Sequence, residues 1–290
     1  MASKTNPFDG ITPESTFRLM TSTYLEHAAK VGLSHKFAKA GIELPADITL
    51  ERMHERCALM GRLDAARQGL QRVQGGRSWN RFREMAFDMI TSPDCATALD
   101  VTREAKAVRE KYGYTSFGQG ALAARRLVES GVRVVTLYWD EYGPANTVGD
   151  THVNNFPRLK EGLCPTLDQV YSTLLDDLDQ RGMLDDTLVL LMSEHGRTPR
   201  IGNKPGGSRE HWSHAYCGLF AGAGIRRGQV FGETDAHAGY PSLRPLDPKD
   251  ILATIYHVMG FDPTKARTYD RLTRPHPLLP FGNMVPEMLT

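Results

Sequence analysis

With 290 residues, 40% of them apolar and 24% charged, the chain can bury one large core or two modest ones and has the composition of a globular protein. Lys plus Arg number 35 against 34 Asp plus Glu, so no field of a single sign recruits nucleic acid or an acidic membrane surface. No apolar run approaches the roughly 18 residues that span a bilayer, the start at Met1 lacks the apolar stretch of a signal peptide, and Cys57, Cys95, Cys164 and Cys217 lie too far apart for a zinc knuckle or a dense disulfide scaffold; as written, the chain reads as cytoplasmic.

Residues 1–45 mix Pro, Gly, Ser and Thr with scattered apolar positions and read as a connector or arm. Residues 46–111 are arginine-rich and helix-favouring, with Leu59, Leu63, Ala66 and Leu70 at helical spacing and Gly75-Gly76 breaking the pattern, so this stretch is predicted to be a helical insertion or subdomain. From 112 to 290 helix-start signals alternate with β-branched runs in the manner of an α/β core that ends in an irregular, proline-rich tail beyond Asp262.

Within that core, Ser116 and Gln119 have the spacing of a capping box, and the helix they open runs to Gly131. Arg125-Arg126, besides any role in the site, read equally as exposed helix positions whose stems cover apolar surface. Val132–Trp139 is a predicted strand. Thr166 and Gln169 form a second capping-box pattern ahead of the stripe Leu167, Val170, Tyr171, Leu174, Leu175 and Leu178, which Gly182 closes. Thr187–Met192 has the continuous apolar character of a parallel strand covered on both faces, and Tyr216–Ala221 is a third strand. Asp247-Pro248 supplies an N-cap and a first-turn proline, so Ile251, Ile255 and Val258 should face the core until Gly260.

Ligands of open α/β sheets gather beyond the carboxyl ends of the strands. Three polar clusters stand at such places: Asp150-Thr151-His152, Glu194-His195, and Arg209-Glu210-His211-Trp212, the last reached through the glycine-rich Gly202–Gly207. Carboxylates and imidazoles together match a hard or borderline divalent cation, with zinc, manganese and calcium all compatible. Arg197 and Arg209, beside them, offer planar forks for the oxygens of an anionic ester, and Glu210 and His214 are candidates for contacting that substrate. Taken singly each cluster is weak: Asp150-Thr151-His152 reads more readily as a solvated turn, Glu194-His195 as a surface ion pair or strand-end cap, and Arg209–Trp212 as a salt bridge beside a packed tryptophan. Their joint placement at strand ends favours a metal site.

Tyr112-Gly113 through Gly118-Gln119, Ala124–Glu129, Asp150-Thr151-His152, Asp176-Asp177-Leu178 with Arg181-Gly182, Glu194–Pro199 and Arg209–Trp212, in this order, resemble the family called domain-of-unknown-function 1501. The similarity runs from about Leu44 to Gly260. The resemblance implies the sulfatase-like branch of the alkaline-phosphatase superfamily: a doubly wound, mostly parallel sheet with helices on both faces and a two-metal site. In it Asp150, His152 and His211 would hold one ion and Glu194 with His195 the other, and a phosphate or sulfate ester would be hydrolysed. Family members more often carry Phe where His195 stands and Trp where Gly149 stands. The first strand and the hydroxyl nucleophile of that clan are not found ahead of the helical region, so the domain is expected to be truncated, with a twin-arginine export signal, and hence an exported protein, if the frame extends upstream of Met1. The alternative is a catalytically silent module on the same fold that binds an anionic glycan or a protein.

Overall fold

A computed structural model describes residues 48–66, 93–139, 151–270 and 272–290. These residues fall into two compact units, one within Glu14–Tyr138 and one within Trp139–Thr290. Among them no helix is long and apolar enough to cross a membrane.

In the first unit the Thr49 hydroxyl accepts the N–H of Arg52 and opens helix α1 (Leu50–Ala66), on which Leu59 is exposed. Helices α2 (Pro93–Leu99), α3 (Lys106–Tyr112) and α4 (Ser116–Glu129) follow, with a single 3₁₀ turn at Val101–Arg103 that Asp100 caps. Helix α4 packs on α2 and α3, and Ala98, Val101, Tyr112, Ala121, Leu122 and Ala123 form the core between them. The N-cap of α4 is Thr115, whose hydroxyl accepts the N–H of Gly118, one residue earlier than the spacing of Ser116 and Gln119 predicts. The reason is that the Gln119 amide is engaged elsewhere, donating to the carbonyls of Arg109 and Gly113 and tying α4 to the end of α3. Thr115→Ala should therefore lower the unfolding free energy by about 1 kcal/mol, read from the midpoint of a urea titration.

Arg125 is not an exposed position. Its side chain is fully buried, pairing through Nη2 with Glu104 Oε1 at 2.8 Å and through Nη1 with Glu129 Oε2 at 2.5 Å. The same Glu104 oxygen takes Arg126 Nη1 at 2.5 Å, while Arg126 also donates to the carbonyls of Ala98 and Thr97. Beyond Gly131 the predicted strand Val132–Trp139 forms no ladder among the described residues, and Val134 and Tyr138 are exposed.

The second unit opens with an uninterrupted helical run: α5 (Asn155–Arg158), a π turn at Leu159–Leu163 and α6 (Cys164–Gln180). Thr166 lies inside this run and caps nothing, because the chain ahead of it is already helical. Val170 and Leu178 of the predicted stripe are buried, and Gly182 closes the helix at a φ of 66°. Strand β1 (Val189–Leu191) pairs antiparallel with β4 (Leu219–Ala221). Between them in sequence lie β2 (Gly196–Arg197) and β3 (His211–Trp212), also antiparallel. Two more antiparallel pairs follow, β5 (Glu233–Thr234) with β6 (Pro241–Leu243) and β7 (Arg267–Tyr269) with β8 (Pro275–Pro277). The described residues thus hold four two-stranded antiparallel ladders and no parallel pair.

Helix α7 (Pro248–Val258) has the predicted Asp247 cap, completed into a reciprocal box by Asp250. The region beyond Asp262 is more ordered than its prolines suggest. Pro275 and Pro277 are two residues apart, so both take ladder positions that need no N–H donor. The last residues dock back, with Arg226 N–H on the Met288 carbonyl and Thr290 N–H on the Gly224 carbonyl.

Candidate metal centre

Each histidine of the candidate site is placed by backbone contacts that the local sequence dictates. The segment carrying His152 is seated on the glycine-rich turn: the N–H groups of Asn154, Asn155 and Phe156 donate to the carbonyls of Pro205, Gly207 and Gly206 at 3.2, 3.1 and 3.1 Å. Gly206 and Gly207 have φ of 69° and 78°, and a Cβ on either would lie 2.6 Å from Asn154 Oδ1 or from the Phe156 ring. Glycines are required there so that the two backbones can touch. Thr151, buried, donates to Asn155 Oδ1 at 2.6 Å.

The β2–β3 ribbon supplies the other two. Gly196 opposes Trp212 and Arg197 opposes His211, so strand alternation puts His195, Arg197 and His211 on one face and Gly196 with Trp212 on the other. A side chain at Gly196 would meet the Ala215 carbonyl at 2.0 Å. The two arginines brace this ribbon: Arg197 Nη1 donates to the Arg209 carbonyl at 3.2 Å, and Arg209 donates through Nε to the Thr198 carbonyl at 2.7 Å and through Nη2 to the Arg197 carbonyl at 3.3 Å.

The three imidazoles meet as a result. His152 Nε2 lies 3.1 Å from His211 Nε2, with ring centroids 4.7 Å apart, and the His195 ring lies 4.0 Å from that of His211, tilted by 38°. His152 Nδ1 faces Glu210 Oε2 at 2.5 Å. His195 Nδ1 faces the Gly196 carbonyl at 3.2 Å, and its Nε2 lies 3.2 Å from Glu194 Oε1. Withdrawal from water pushes the Glu210 carboxyl up, but the hydrogen bond from His152 and the charges of His152 and Lys204 outweigh this and hold it below the usual carboxylate range.

His152, His195 and His211 therefore lie together, with Glu194 and Glu210 at the margin. Asp150 lies outside the described residues. His214 stands apart from the imidazole cluster, in an aromatic group with Trp212 (4.7 Å between rings) and Tyr240 (5.0 Å). Sequence reasoning missed Tyr240 and the turn that carries it. There the Asp235 carboxylate accepts the N–H groups of Gly239, His237 and Tyr240, and the Gly239 N–H first among them holds its carboxyl below the usual range. Trp212 Nε1 donates to the Gly239 carbonyl at 2.6 Å. The signal was the turn-forming Asp235 ahead of Ala238-Gly239.

Among the described residues no group of three or more His, Cys, Asp or Glu side chains surrounds one point as a ready ligand set. The His152–His211 pair nevertheless has the chemistry of two ligands to one ion. Zn–N bonds of about 2.0–2.1 Å at a tetrahedral angle separate two nitrogens by about 3.3 Å, against the 3.1 Å here. A carboxylate behind the distal nitrogen, as Glu210 stands behind His152, is the usual companion of a metal-bound imidazole.

A family model described as a protein of unknown function, DUF1501, matches residues 16–289. The chain belongs to the DUF1501 family. No curated protein and no solved structure matches it. The DUF1501 match takes in both described units, including every residue of the imidazole cluster.

Proposed function

We propose that this DUF1501 protein is a metal-dependent hydrolase-like protein acting on phosphate or sulfate esters, of the sulfatase-like branch of the alkaline-phosphatase superfamily. The observation that carries the proposal is the pair of Nε2 atoms of His152 and His211 at 3.1 Å, one of them backed by a carboxylate. In this proposal Asp150, His152 and His211 hold one ion and Glu194 with His195 a second. Nitrogen donors favour zinc over the harder manganese and calcium. Bound there, an ion would supply Lewis-acid polarisation of an ester oxygen.

The chain's own contribution is placement. The Gly206-Gly207 seat fixes the His152 segment, the β2–β3 ribbon fixes His195 and His211, and Arg197 and Arg209 hold the ribbon in register beside the position proposed for the ester oxygens. His214 packs with Trp212, which lies on the other face of the ribbon from the imidazoles, and is left outside the proposed substrate contacts. A second reading, a catalytically silent module for an anionic glycan or a protein partner, is favoured by the engagement of both guanidinium groups with backbone carbonyls.

Metal analysis of the purified chain after zinc loading and gel filtration should find at least one equivalent retained, and a generic aryl phosphate or aryl sulfate should be turned over in a manner that a chelator stops and zinc restores. Retained zinc with no turnover of either ester would support the binding module. Neither zinc nor turnover would end the proposal.

A further inference from the structure

We propose that Glu210 is a positioning residue, holding the His152 imidazole with its proton on Nδ1 and its Nε2 lone pair turned toward His211. The inference deepens the metal-site proposal and rests on it for its consequence, though not for its geometry.

A carboxylate has acceptors only, so the 2.5 Å contact between Glu210 Oε2 and His152 Nδ1 places a proton on Nδ1. In the neutral ring Nε2 is then the lone-pair nitrogen, and it is this atom that stands 3.1 Å from His211 Nε2. The consecutive residues Glu210 and His211 thus grip the two nitrogens of one imidazole that comes from a segment 59 positions from His211.

Glu210 is fixed independently of His152. Its N–H donates to the Thr198 hydroxyl at 3.1 Å and its carbonyl accepts the Thr198 N–H at 2.9 Å. The competing view, that Glu210 is half of a surface ion pair with Lys204, is the weaker one. That contact is 3.5 Å, between side chains that are each more than half exposed, and exposed pairs of this kind contribute little. A glutamate so placed orients a ligand, and it does not need to touch substrate to matter.

The test measures zinc affinity of the full chain by competition with a chromophoric chelator, for wild type, Glu210→Ala, Glu210→Gln and Lys204→Ala. Glu210→Ala should weaken zinc about 10- to 100-fold, the effect of losing an outer partner of a ligating histidine. Glu210→Gln, which keeps an acceptor without the charge, should lose less, and Lys204→Ala should match wild type. Nitrogen-15 NMR of histidine-labelled, metal-free protein at pH 8, with His152 assigned by its absence in His152→Ala, should show Nδ1 protonated in wild type and a mixture of tautomers in Glu210→Ala. An unchanged tautomer in Glu210→Ala, or unchanged affinity in a background where wild type binds zinc, overturns the role given to Glu210. A wild type that takes up no zinc overturns the metal-site proposal alone, because the tautomer comparison in metal-free protein still decides what Glu210 does.

Discussion

Glu104→Ala is expected to lower the stability of the helical unit by about 3 kcal/mol, because breaking a buried ion pair leaves a charge in the core without its partner. Arg125 has no exposed side-chain surface, and Glu104 Oε1 lies 2.8 Å from its Nη2 and 2.5 Å from Arg126 Nη1. Glu129 retains the other edge of Arg125, which sets the figure at the low end of the usual range. Burial pushes the Glu104 carboxyl up, but hydrogen bonds and charge from Arg125 and Arg126 win and leave it below its ordinary value. A carboxyl with a folded-state pKa below its unfolded one contributes stability that is full above the unfolded value and disappears as pH falls through the folded one. Urea titrations of wild type and variant should therefore differ by about 3 kcal/mol at pH 7 and converge toward acid. A difference under about 1 kcal/mol at pH 7, or one that does not shrink on acidification, would show that the triad is not what holds α4 in place.

The second large effect concerns the imidazoles. His152→Ala and His211→Ala should each weaken zinc by more than about 100-fold, beyond what the loss of an outer partner does, since each removes one of the two nitrogens that face each other. His257→Ala, on an exposed position of α7, is the control and should leave affinity unchanged. Equal affinities for all three variants in a zinc-competition titration would mean that the 3.1 Å pair is an ordinary histidine–histidine hydrogen bond.

Sequence pattern read the helices well where local chemistry alone decides them. Asp247-Pro248 and Gly260 bracket α7 as expected, and the apolar stripe of α6 does bury Val170 and Leu178. It failed where tertiary contacts recruited the same residues: Gln119 has the spacing of a capping box but bonds the end of α3, and Thr166 has it inside a helix that began at Asn155. Strand partners were not legible either. An apolar run such as Thr187–Met192 declares a strand without saying what lies beside it, and β1 in fact pairs antiparallel with β4.

At the site, residue type and loop position were enough to nominate His152, His195 and His211. Their division of labour was not, because it depends on which ring nitrogen meets which neighbour. Glu210, nominated for substrate, turns out to face His152, and Arg197 and Arg209 turn out to bond the ribbon that carries them. The glycines of the Gly202–Gly207 stretch were noticed as a loop signal. Their use as a seat for a segment some fifty residues earlier lies in their positive φ and in the contact with Asn154 and Phe156, which spacing does not encode.

The Val132–Trp139 segment bears on how the protein behaves at high concentration. Its β-branched and aromatic residues, with Val134 at 66% and Tyr138 at 81% exposure, and its lack of a ladder among the described residues are the properties through which copies of a chain add to one another edge to edge and come out of solution. Arg133 is the sole charge within that run, a gatekeeper whose repulsion works against such stacking.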